Sequence, residues 1–136
     1  MKLLFKLLVS LCAVLMIVSC DNSSSTPESV AKAYVEAFFN GNADKVISLI
    51  YIPDDAKNDP GAKDMMSGKI KQGVMKAKEK ASKDGGVKNI TVEKAQYSED
   101  KQTAEVPVTV TFKGDAPAYN ETIKVIKTDD GWKLKL

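Results

Sequence analysis

The feature that most constrains this chain is a change of hydrophobic period at Gly85-Gly86. Before that pair apolar residues recur at helical spacing; after it they alternate with polar ones. Val30, Tyr34, Ala37 and Phe38 stand at i, i+4, i+7 and i+8 and predict a helix ending near Asn40-Gly41. Thr26 is placed to cap it, Pro27 suits its first position, and Ser29 is close to the acid position of a capping box. Ala43 to Tyr51 reads as a second, short helix behind an Asn42 cap, with Val46, Ile47, Leu49 and Ile50 apolar. The stretch 52–63 is dense in Pro, Asp, Asn and Gly and reads as a loop. A third helix is predicted over about 64–83 from the stripe Met66, Ile70, Val74, Ala77 and Ala81, weakened at Gly68 and Gly73 and ended by Gly85-Gly86.

Beyond the switch, four strands are expected. The first spans about 87–97: Ile90 and Val92 share one parity and Ala95 and Tyr97 the other, which implies a bulge near Glu93-Lys94. The second, 102–113, alternates most clearly, with Ala104, Val106, Val108, Val110 and Phe112 inward. Pro107 inside it cannot donate to a ladder, so it marks an edge or a bulge. The third, about 118–127, points Ile123 and Val125 inward, and the fourth points Trp132, Leu134 and Leu136 inward. Helices first and an antiparallel meander afterwards make an α+β domain, about three helices on one face of a four-stranded sheet.

The N-terminus carries an address. Lys2 and Lys6 flank a short basic region, and Leu7 to Val18 is apolar except for Ser10. That is the pattern of a secretory signal, and the apolar run falls short of the ~20 residues a spanning helix takes. Ile17-Val18-Ser19-Cys20 resembles the bacterial lipobox. The resemblance implies cleavage between Ser19 and Cys20 and acylation of Cys20, so that residues 1–19 are a lipoprotein signal and 20–27 a lipidated cysteine with a flexible tether. The mature chain would then be held to a membrane of the cell envelope, facing the periplasm in a two-membrane cell. Asp21 resembles the signal for retention in the inner membrane. Cys12 lies in the signal and Cys20 takes lipid, so the domain 28–136 must hold together without a disulfide.

Composition narrows the chemistry. All 20 basic residues are lysine; there is no histidine and no arginine. The commonest general base and metal ligand near neutrality is therefore absent, as is the planar fork that grips phosphates. The mature chain balances 18 lysines against 18 acids, without the basic excess of a nucleic-acid binder. No cofactor or metal is expected. The oxygen-rich 54–61 loop lacks the spacing and closing glutamate of a calcium loop.

Two stretches carry a family resemblance. One is 27–46, PESVAKAYVEAFFNGNADKV, a helix, an Asn-Gly-Asn-Ala turn and a second helix; the other is the closing Asp130-Gly131-Trp132-Lys133-Leu134. Both, with the element order, resemble the superfamily of nuclear transport factor 2 (NTF2) and ketosteroid isomerase, and most of all its small lipoproteins. The resemblance implies a cone with a pocket between the first helix and the concave sheet, where the isomerases of the superfamily place a carboxylate base and phenolic or acidic donors. None of Tyr34, Glu36, Tyr97, Glu105 and Tyr119 maps onto such a position from sequence.

Two functional classes follow. The first is a non-catalytic module that binds a small, largely apolar ligand or an envelope protein, with Tyr34, Phe38, Tyr97, Tyr119 and Trp132 as candidate pocket residues. The second is an isomerase- or dehydratase-like enzyme. A separate candidate surface is the lysine face of the third helix, Lys69, Lys76 and Lys80. Residues 63–83 hold seven lysines against two acids, and the rest of the mature chain eleven against sixteen. Such runs usually solvate a helix face, and the alternative is attraction to headgroups or an acidic partner.

Overall fold

The computed structural model describes residues 24–136. The signal 1–19, Cys20 and Asp21 lie outside the described residues. Among the described residues four helices are followed by five strands: α1 (Pro27–Asn40), α2 (Ala43–Leu49), α3 (Asp54–Lys57), α4 (Pro60–Lys83), then β1 (Val87–Val92), β2 (Gln96–Tyr97), β3 (Thr103–Phe112), β4 (Tyr119–Thr128) and β5 (Gly131–Leu134). The sheet is antiparallel in the order β1-β3-β4-β5, with β2 also paired to β3. It curls around the helices: the α+β class follows the element order read from sequence, and the cone is the one the family resemblance implied.

Local chemistry sets the ends of α1. The Thr26 hydroxyl accepts from the Ser29 amide at 3.1 Å, and the Thr26 amide donates back to Ser29 Oγ at 3.0 Å. This is the reciprocal cap foreseen from sequence, worth about 1 kcal/mol. Gly41, in the left-handed region, closes the helix by donating to Ala37. Between these ends α1 buries Val30, Ala31, Val35 and Ala37 against the sheet and α4.

Two expectations need correction on the helical side. Stretch 52–63 contains the four-residue helix α3, and α4 starts at Pro60, four residues earlier than expected. The cause is Asp59, whose carboxylate accepts from the amides of Gly61 and Ala62 and caps a helix that Pro60 opens. Two acids of this loop are thus engaged, Asp59 in the cap and Asp54 in a pair with Lys57 at 2.7 Å.

On the sheet side, the single first strand is two strands, β1 and β2, separated by residues 93–95. Pro107 explains the gap. Its carbonyl accepts from Glu93 at 2.9 Å, and in a strand a residue's N–H and C=O point to the same side. The amide donor that proline lacks would therefore have faced this break, where the ladder stops. The freed amide of Ala95 donates instead to Glu28 of α1 at 2.9 Å.

The core is β-branched. Val30, Val74, Val106, Val110 and Val125 are fully buried, with Val35, Val46, Leu49, Ala104, Val108, Ile123 and Leu134 around them. Leu136, expected inward by parity, is 81 % exposed, because β5 ends at Leu134. Among the described residues no helix is long and apolar enough to cross a membrane.

Candidate functional site

The first helix and the inner row of β4 meet at an aromatic seam. Tyr34 stacks tilted on Phe38 with ring centres 5.5 Å apart, and Phe38 meets Phe39 edge-on at 5.7 Å. Phe39 in turn meets Phe112 and Tyr119, each at 5.8 Å. Edge-to-face pairs of this kind favour one another beyond their buried area. The rings are large and the space between α1, α4 and the β3–β4 loop is uneven, so they do not close it. A hollow of about 240 Å³ remains, walled by Phe38, Phe39, Ala77, Phe112, Pro117 and Tyr119, with Lys80 and Asp84 at its edge.

On the other side of the seam lies a second hollow of about 230 Å³, lined by Tyr34, Glu121, Ile123, Leu134 and the chain end 135–136. Glu121, which the strand pattern did not single out, is the carboxylate of this hollow. It pairs with Val108 and shares its face with Ile123 and Val125, so the inner face of β4 carries a carboxylate. The Tyr119 hydroxyl donates to Glu121 Oε2 at 2.9 Å.

These neighbours set the protonation of both phenols. Burial, reinforced by the charge of Glu121 and by Tyr119, pushes the Tyr34 phenol well above the usual range. Burial, then the hydrogen bond and charge of Glu121, pushes Tyr119 up to about 12. A negative charge beside a half-buried phenol penalises the phenolate. Near neutrality both phenols therefore stay protonated and can donate.

The five candidate pocket residues divide. Tyr34, Phe38 and Tyr119 come together at the seam; Tyr97 and Trp132 do not join them. Those two form their own pair, 5.9 Å apart and edge-on. The reason is register: Tyr97 sits opposite Ala104, and Trp132 opposite Lys127, toward the β4–β5 turn. Phe39 and Phe112 take their place in the hollow. Of the acids weighed from sequence, Glu36 is exposed and pairs with Lys32 at 3.8 Å, and Glu105 lies exposed on the outer parity of β3. Lys69, Lys76 and Lys80 all lie on exposed positions of α4, and among the described residues none of them makes an ion pair. No group of three or more metal-ligating side chains occurs among the described residues.

The chain can now be set beside known proteins. It is similar to the crystal structure of a Campylobacter jejuni protein named as a candidate NTF2-like transpeptidase, with 29% identity and a TM-score of 0.73 over 82% of this chain and 99% of that one. The likeness supports the NTF2-like fold. No curated protein matches the chain. The model of one family does match, over residues 18–135, nearly the whole described domain, and the chain belongs to that family, the domain of unknown function DUF4878.

Proposed function

We propose that this chain is a lipid-anchored envelope protein whose domain binds a small, largely apolar ligand or an apolar side chain of a partner, without turning it over. The observation that carries the reading is the aromatic hollow. Phe38, Phe39, Phe112 and Tyr119 remain only partly buried around about 240 Å³ of open space. Apolar walls with a few polar groups at the rim are the usual make-up of a ligand pocket. Anchoring rests on the Ile17-Val18-Ser19-Cys20 pattern and on the two-chain arithmetic of lipid anchors. The binding test is displacement of a fluorescent apolar dye from the purified mature domain. Saturable displacement that Phe39→Ala and Phe112→Ala abolish supports the reading; dye binding that both variants leave unchanged refutes it. The anchoring test is Cys20→Ser, which should release the protein from membranes and abolish acyl labelling.

One contact favours a second reading. Glu121 beside Tyr119, with Tyr34 near, provides a carboxylate and phenolic donors on the concave face, the groups that isomerase or dehydratase chemistry needs. Turnover of an enolisable ketone that Glu121→Gln eliminates would establish that reading. The two hollows give no support to the activity named for the Campylobacter jejuni protein. Acyl transfer needs an activated nucleophile. The hydroxyl and amine groups that line the hollows, Thr122, Lys124 and Lys80 among them, have no histidine to activate them, and neither hollow is lined by serine or cysteine.

A further inference from the structure

The N-terminal strap is tied to one end of the sheet. The Ser24 carbonyl accepts from the Trp132 amide at 2.8 Å. Gly131, at φ +98°, leaves room for it: a Cβ there would stand 2.6 Å from the Ser24 oxygen. Only three residues separate Ser24 from Cys20. Fully extended, that leash reaches about 14 Å. The domain therefore leaves its anchor at the β4–β5 turn.

The aromatic hollow lies at the other end of the same strand. Its floor is 116–118 of the β3–β4 loop with Tyr119 at the start of β4, and the end of α4 is tied there through Gly114 N–H to Asp84 O at 2.7 Å and Lys113 N–H to Gly86 O at 3.0 Å. The ten residues of β4 separate the two ends by roughly 30 Å. The outward face of α4 is also out of reach of the leash. α4 packs on α1, and a helix spacing of about 9 Å plus a helix radius of about 5 Å already consumes the 14 Å, while the leash departs from the sheet side of α1.

Charge follows the same division. The turns at the leash end carry Glu99, Asp100, Asp129 and Asp130 against Lys101; the hollow end presents Lys80, Lys83, Lys88 and Lys113 against Glu79, Asp84 and Asp115. Among the described residues only Lys83 of those four is in an ion pair, with Glu79 at 3.1 Å.

We infer that the lipid-anchored domain stands with its aromatic hollow and basic rim turned away from the bilayer, to receive from the aqueous side an acidic polypeptide segment that inserts one apolar side chain. The inference rests on the lipidation and the hollow proposed above. It also assigns the lysines to a partner and not to headgroups. An anionic surface would draw each lysine near it by about 1 kcal/mol, and these are held too far off.

Two arms test it on the full lipidated protein in anionic vesicles. Single cysteines at Asp130, Met75 and Asp115, all exposed positions, carry a fluorophore, and nitroxide headgroup lipids quench it. We expect quenching at Asp130→Cys at least about threefold stronger than at Met75→Cys or Asp115→Cys, in line with the leash reach. Equal or stronger quenching at either of the latter two overturns the orientation, whether or not the hollow binds anything. In the second arm, a Glu-rich peptide containing one Phe is titrated against vesicle-bound protein and against the soluble Cys20→Ser variant. Similar affinity in both, weakened about tenfold by the double reversal Lys80→Glu and Lys113→Glu, supports the partner. No binding to the soluble variant overturns the acidic-peptide partner; binding there that is lost on vesicles overturns the outward-facing hollow.

Discussion

The sealed interior and the seam around the hollow are built from different side chains, and the difference accounts for what each can do. The interior is filled by valine: Val30, Val106, Val110 and Val125 lose all contact with solvent. β-Branched side chains are stiff and compact and tile a curled sheet against a helix without leaving space. The seam is filled by rings, Tyr34, Phe38, Phe39, Phe112 and Tyr119, which touch at their edges and leave volume between them. Stability resides in the first region, and the proposed recognition in the second. A mutation in one should therefore leave the other's property largely intact.

The strongest break of that comparison is a charge in the valine core. Val106→Asp should leave no cooperative thermal transition, since an unpaired buried charge costs several kcal/mol against a total of about 5–15. The milder Val110→Ala should lower unfolding free energy by about 2 kcal/mol, from two lost methyl groups and the space they leave, without affecting dye binding. Denaturant titration of both variants decides this. At the seam the order reverses: Phe39→Ala should abolish ligand binding while the domain stays folded.

The capping pair offers a check of intermediate size. Thr26→Ala should cost about 1 kcal/mol in chemical denaturation. A cost near zero would mean that the packing of α1, and not its cap, fixes its start.

Some of this organisation was legible in the sequence because its causes are local. The Thr26–Ser29 box, the Asn42 cap and the alternation of β3 all act within a few residues, and each stands as expected. Pro107 does not: expected at an edge or a bulge, it lies in a central strand and faces the break between β1 and β2. Asp59-Pro60 carries the same signal as Thr26-Pro27, but it is embedded among acids and prolines that equally suit a loop. The inward parity of Ile123 and Val125, continued back along β4, leads to Glu121 and Tyr119. That carboxylate could have been found from the pattern alone. The separation of Tyr97 and Trp132 from Tyr34 could not, since it depends on which residues face one another across three strands. Leu136 shows the limit of parity: alternation continues past the last ladder residue, but burial does not.

Smaller effects sharpen the picture of the seam. The raised phenols work in one direction. Their folded pKa values exceed the unfolded one, so their contribution is fully present below about pH 10. It is lost as pH rises toward about 12, the value for Tyr119. Phenolate absorbance should therefore show a late step near that pH which Tyr119→Phe removes. The same substitution should change stability by about 1 kcal/mol or less, since it deletes one exposed hydrogen bond. Leu136→Ser, at a solvent-facing position, should stay within about 0.5 kcal/mol of the parent.

The most direct measurement of the central claim is protein NMR of the mature domain during titration with a small aromatic probe such as benzyl alcohol. The account predicts saturable shifts confined to the resonances of Phe38, Phe39, Phe112 and Tyr119, with the Trp132 indole unmoved. Saturable shifts centred on Tyr97 and Trp132, or no saturable shift at the seam, would contradict it.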